Sequence, residues 1–156
     1  MASWAEFVSE SPELGRLAEE RIDRVGLILL GTLRSNGYPR ISPVEALVAN
    51  GRLYLGMMWQ SKKALDLLRD ARCVVHSIVT DKTGNEGDLK IYGRALDVTA
   101  PEEREHYCEQ LERRIGWRPE GEFHLFSIEI TEVGYFRSNE GEHDVRTWRP
   151  RERADD

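Results

Sequence analysis

The dipeptide Asn50-Gly51 constrains the fold of this chain more than any other feature. Both residue types tolerate the positive φ that the tightest hairpin turns demand, and the segments on either side are strand-like, Tyr38 to Val48 before the turn and Arg52 to Met58 after it. A second turn signal, Ser35-Asn36-Gly37, follows the short apolar run Val25 to Leu33, which reads as a buried strand. Three strands joined by two tight turns make an antiparallel meander, which argues for a small barrel or sandwich over alternating β-α units.

The remaining segments fit around that meander. Ser11-Pro12-Glu13 supplies a cap residue, a proline whose missing N–H costs nothing and an acid at the positive end of a helix dipole, and Leu14, Leu17, Ala18 and Ile22 follow at helical spacing up to Arg24. Ser61 is expected to cap a short helix to Asp70 whose Ala64, Leu65, Leu67 and Leu68 face inward. Cys73 to Val79 and Leu89 to Val98 read as strands around a polar, glycine-bearing loop. Thr99-Ala100-Pro101-Glu102 has the pattern of a capping box, and the helix after it carries Tyr107, Leu111 and Ile115 inward and ends near Gly116. Phe123 to Phe136 is a long last strand, extended or followed by Val145 to Trp148. The expected class is mainly β with three short helices, in one domain.

Charge and cysteine content narrow the function. With 22 basic against 28 acidic side chains the net charge is −6, so a nucleic-acid partner is not expected. Two cysteines among 156 residues are too few for a disulfide scaffold and point to a reducing, cytoplasmic setting. Val25 to Leu33 is shorter than the ~20 residues of a membrane helix, and the N-terminus lacks a basic region leading into an apolar one. His76, His106, His124 and His143 lie on different elements without metal-site spacing, so no metal is assigned.

The chemistry-bearing stretch is Met57-Met58-Trp59-Gln60-Ser61-Lys62-Lys63-Ala64. Here a strand ends, a serine precedes a helix, and two lysines stand on the first turn, where the dipole disfavours cations. A bound phosphate would compensate, and solvated surface lysines beside an ordinary cap are the alternative. Arg40, on the strand that pairs with Met57-Met58, adds a second source of positive charge. Trp59 suits either stacking on a ring or packing at a strand end. No nucleophile or acid-base pair stands out, so catalytic residues are not assigned.

Gly31-Thr32-Leu33, Arg40 to Val44, Gly51 to Leu55, Ser61 to Ala64, Leu89 to Ala95 and Thr147-Trp148-Arg149-Pro150, in that order, resemble the pyridoxamine 5'-phosphate oxidase-like split barrels over most of residues 24 to 150. The resemblance implies a six-stranded antiparallel split β-barrel over 25–150; the helical reading of the start makes 1–24 an extension, and the charged end after Pro150 reads as a frayed tail over 151–156. The resemblance further implies a homodimer that builds its sites from two subunits. FMN is the expected cofactor, with the deazaflavin coenzyme F-420 as the alternative, serving hydride transfer to or from a small organic substrate. A non-catalytic cofactor- or tetrapyrrole-binding barrel is the rival reading. The implied cofactor-binding residues are Arg40, Ile41 and Ser42 on one strand, Met57, Met58 and Trp59 at the end of the next, and Ser61, Lys62 and Lys63 at the phosphate turn. Two positions depart from the vitamin-processing oxidases, which have a lysine at Glu45 and a glutamine at Asp88.

Overall fold

The computed structural model describes residues 1–151. Most of the expected tail lies outside the described residues. Eleven elements follow one another: α1 (Trp4–Glu10), α2 (Pro12–Asp23), β1 (Leu27–Leu33), β2 (Pro39–Ala49), β3 (Arg52–Met58), α3 (Lys62–Arg69), β4 (Arg72–Ser77), β5 (Asp88–Asp97), α4 (Pro101–Ile115), β6 (Phe123–Asn139) and β7 (Glu142–Trp148). All strand pairs are antiparallel, in the order β3-β2-β1-β4-β5-β6-β7, and an additional β3–β6 pairing closes six of the strands into a barrel. The seventh, β7, pairs with the second half of β6 and lies outside the ring. The Asn50-Gly51 turn forms as the meander requires, with φ of 52° and 69° at its two residues.

Alternation along the strands sorts side chains between the barrel interior and its outer wall. Ile28 and Leu30 of β1, Val44 and Ala46 of β2, Leu53, Leu55 and Met57 of β3, and Phe126, Ile128 and Ile130 of β6 belong to one buried cluster. The two N-terminal helices join it through Trp4, Phe7, Leu14, Ala18 and Ile22. Phe7 touches Trp148 with ring centroids 4.9 Å apart, and the Trp148 indole N–H donates to Glu10. A second cluster lies outside the barrel wall, where Leu47, Tyr54 and Leu125 pack against Tyr107, Cys108 and Leu111 of α4.

Several local expectations are corrected. Among the described residues there are four helices, because α1 forms as well; Ser3 and Glu6 make a reciprocal capping box there. The expected box at Thr99 does not form, and Ala100 is the cap residue of α4. Ile115 is exposed at the last turn. On α3 the buried residues are Ala64, Asp66 and Leu67, whereas Leu65 and Leu68 face outward. The strand expected over 73–79 stops at Ser77 because the chain turns into the loop held by Glu86.

That loop is pinned from α2. Arg21 donates to the Ile78 carbonyl at 2.7 Å and pairs with Glu86 at 3.2 Å, both side chains being buried. Glu86 also accepts from the Thr80 hydroxyl and from the Thr80 and Asp81 N–H groups. Its carboxyl is held down to about 2, chiefly by the Thr80 hydroxyl and against the burial that would raise it. A depressed folded-state value contributes stability above the ordinary 4.5 that is lost as pH falls toward 2. In denaturant titrations across that window, Glu86→Gln is expected to show a flatter acid loss than the parent and lower stability at neutral pH. Parallel pH profiles would contradict this role.

Candidate functional site

The end of β3 positions the site. After Met58 the chain turns through Trp59 and Gln60, the latter at φ 56°, and enters α3 with Ser61 as cap residue. The Ser61 hydroxyl does not cap the helix; it is shut off from solvent and has no partner among the described residues. The first-turn N–H groups of α3 have no intrahelical acceptor, as in any helix. Lys62 and Lys63 carry no ion pair among the described residues, so the turn unites an orphaned hydroxyl, free amides and two uncompensated ammonium groups. That donor set suits a phosphate monoester.

Arg40 takes a different part from the one expected. Facing the barrel end opposite Thr32, it donates through Nε to Asp66 at 2.6 Å. Thr32 donates to the same carboxylate oxygen at 2.8 Å, and Arg69 reaches the other oxygen at 3.4 Å. Burial alone would raise the Asp66 carboxyl, but hydrogen bonds from Arg40, Thr32 and Arg69, together with the Arg40 charge, hold it below the usual carboxylate range. Arg40 thus spends its Nε donor on Asp66, a carboxylate it shares with Arg69, and fastens α3 across the end of the barrel. Arg69 adds a hydrogen bond to the Leu33 carbonyl.

Next to the turn lies a cleft of about 700 Å³ against the outer wall of the barrel. Leu27 of β1, Pro43 and Glu45 of β2, and Gly56 and Met58 of β3 form its floor; Met57, Trp59 and Lys63 edge it, and Tyr107 of α4 and Phe123 of β6 also line it. Trp117, Pro119, Glu120 and Glu122, between α4 and β6, form the facing side. Gly56 is required here, because a Cβ at that position would stand 2.5 Å from the Tyr107 hydroxyl. Arg104 seats the other end of this wall, donating to the Val98 and Phe123 carbonyls while its guanidinium lies 4.2 Å over the Phe123 ring.

Of the residues expected at a cofactor site, Met57, Met58, Trp59 and Lys63 line the cleft, while Ser61 and Lys62 precede Lys63 on the same turn without lining it. Arg40 and Ser42 face the barrel interior by the alternation of β2, and Ile41 projects from the outer wall, 72% exposed. Trp59 stacks on His124, with centroids 4.4 Å apart and planes 13° from parallel, so half of its ring surface is already used for packing. The loop contribution of Trp117, Glu120 and Glu122 was not expected. Its only signal in the sequence is an aromatic residue among glycine, proline and acid, and its course is set by Arg118, which pairs with Glu105 and Glu112 of α4.

A family model described as pyridoxamine 5'-phosphate oxidase matches residues 14–137, most of the chain and every strand of the barrel. The chain belongs to the pyridoxamine 5'-phosphate oxidase family. The barrel and its closing β3–β6 pair are therefore those of the family's split barrel. Solved members and relatives share the fold at low identity. A putative pyridoxamine 5'-phosphate oxidase from Listeria innocua superposes with a TM-score of 0.63 at 18% identity, covering 78% of this chain and 96% of that one. A Clostridium acetobutylicum protein related to general stress protein 26 gives 0.61 at 16%, covering 85% and 91%. A heme binding protein from Mycobacterium smegmatis gives 0.61 at 16%, covering 84% of this chain, which spans only 57% of that longer one. No curated protein matches the sequence. Among the described residues no helix is long and apolar enough to cross a membrane.

Proposed function

We propose that this member of the pyridoxamine 5'-phosphate oxidase family binds FMN and serves hydride transfer to or from a small organic substrate. The observation that carries the reading is the Ser61-Lys62-Lys63 turn, an unpartnered hydroxyl and two unpaired lysines at a helix start, with Lys63 on the edge of the cleft. Bound flavin supplies the hydride chemistry; the protein's part is to hold the phosphate at the turn, lay the ring beside Met57 and Met58, and exclude water. Coenzyme F-420 also ends in anionic groups and would use the same lysines.

The phosphate interaction makes a direct test. FMN is expected to bind at least about 100-fold more tightly than riboflavin, since two charge-assisted contacts are worth about 1.5 kcal/mol each. Equal affinities would remove the turn from the site. A tetrapyrrole is the second reading, favoured by the likeness to the mycobacterial heme binding protein. No histidine lines the cleft, so an iron there would lack the commonest protein ligand.

A second copy of the chain is the proposed partner. Ile41, Leu29, Val74 and Tyr92 stand side by side on the outer wall of β2, β1, β4 and β5, an apolar band that is partly open to solvent. Light scattering is expected to give twice the 18.0 kDa chain mass, and a monomer mass at micromolar concentration would contradict the assembly.

A further inference from the structure

The cleft carries a charge pattern that bears on what enters it. Three carboxylates, Glu45, Glu120 and Glu122, line it against a single ammonium, Lys63, and none of the three has an ion pair among the described residues. Glu45 lies directly across the β2–β3 ladder from Gly56, and Gly56 is the residue against which the Tyr107 hydroxyl packs. Tyr107 is 2% exposed, and its hydroxyl has no hydrogen-bond partner among the described residues. The phenol oxygen faces the cleft and is not sealed from it, so it is a hydrogen-bonding group that an entering molecule can use. Lys63 stands beyond the end of β3, at the phosphate turn, so the carboxylates and the phenol occupy the part of the cleft that the turn does not use.

The other walls are aromatic or soft. Trp117 and Phe123 offer ring surfaces, Met58 offers a polarisable thioether, and Leu27 and Pro43 give a flat aliphatic floor. Aromatic faces and carboxylates both favour positive charge, and a cation that is partly desolvated between them gains from each. Among the described residues, an anionic ligand would meet three carboxylates and no counter-charge in the lining except the lysine that the cofactor phosphate claims. A small neutral polar molecule would waste the aromatic surface.

We propose that this part of the cleft takes a flat aromatic molecule bearing a positive charge, such as a protonated heteroaromatic amine, with the charge between Glu45 and the Glu120–Glu122 loop and the ring beside Trp117. The Tyr107 hydroxyl is then the group that hydrogen-bonds the ligand's polar edge. The assignment names the substrate class of the site described under the proposed function and rests on that reading for the place of the cofactor, though the ligand preference is measurable without it.

Three probes share one ring system and differ in charge at neutral pH: 9-aminoacridine as cation, acridine as neutral molecule and acridine-9-carboxylate as anion. Fluorescence titration of the full chain, with and without saturating FMN, is expected to give the order cation, neutral, anion, with about a tenfold step between the first two from close unscreened charge. Glu45→Gln is expected to remove most of that step without changing affinity for acridine, and Glu45→Lys to reverse the order of cation and anion. Glu109→Gln, which makes the same change in net charge on the exposed face of α4, is expected to leave all three affinities alone. Tyr107→Phe keeps the ring packing and is expected to weaken acridine and its amine alike.

Equal binding of the three probes, or a Glu109→Gln effect as large as that of Glu45→Gln, would overturn the proposal. The flavin reading fails separately. If the cation preference and its Glu45 dependence appear while FMN does not bind, the cleft keeps its ligand class and loses its cofactor; if FMN binds and the preference is absent, the reverse holds.

Discussion

Replacing Lys62 and Lys63 together by alanine is expected to weaken FMN binding about 100-fold while leaving the folded state intact, because each removes one charge-assisted contact worth about 1.5 kcal/mol. Folding does not depend on them. Neither lysine is ion-paired among the described residues, and both stand on a helix turn whose dipole disfavours cations, so their removal relieves a local repulsion in the free protein. The parallel measurements are an FMN titration and a thermal melt. Weakened binding with a melting temperature unchanged or slightly higher is the expected pair. A large fall in melting temperature would show that the lysines serve the fold instead.

Asp66→Ala is expected to do the opposite, costing about 3 kcal/mol of stability, which for a domain of this size lowers the melting temperature by roughly 10 °C. The carboxylate is buried and accepts from Thr32, Arg40 and Arg69, so its loss leaves a half-buried guanidinium and a buried hydroxyl without their acceptor. It also frees the seam between α3 and the barrel end, and FMN affinity is expected to fall with it through displacement of the Ser61 turn. Asp66→Asn keeps an acceptor for Thr32 but not the charge, and is expected to recover part of the loss. A melting temperature within a few degrees of the parent would mean that the Arg40 pair is dispensable and that Arg40 is available to the ligand after all.

The contrast between these two experiments follows from what the sequence does and does not carry. The hairpin at Asn50-Gly51 was legible because a type I′ turn needs positive φ at two successive residues, a demand written locally in those two residues. The Ser61-Lys62-Lys63 turn was legible for a related reason, since a cap residue and two misplaced cations sit within one stretch. Asp66 was not. Judged by helical period it is a polar residue among leucines and belongs on the solvent side. Its burial depends on Thr32 and Arg40, which lie 34 and 26 residues away and meet it only after β1 and β2 have paired. Burying Asp66 turns the helix so that Leu65 and Leu68 face outward, which is why the expected apolar face was rotated.

Helix α1 illustrates a different gap. Ser3-Trp4-Ala5-Glu6 is a capping-box pattern, but seven residues are too few to show a period, and the helix is held by tertiary packing of Trp4 and Phe7 and by the Ala2–Ile130 bridge. The far wall of the cleft was hidden for the same kind of reason. Trp117, Glu120 and Glu122 lie in a connection whose path depends on Arg118 reaching back to Glu105 and Glu112, and a period-based reading has no access to that pairing.

The turn at the end of β3 is proposed to hold the phosphate of a flavin. The most direct test is a side-by-side equilibrium titration of the purified chain with FMN, coenzyme F-420 and haem, followed by absorbance and flavin fluorescence. Saturable FMN binding at one per chain with a micromolar or tighter dissociation constant is expected. Haem saturating the chain while FMN leaves the spectra unchanged, or no saturation by any of the three in a protein shown to be folded, would contradict it.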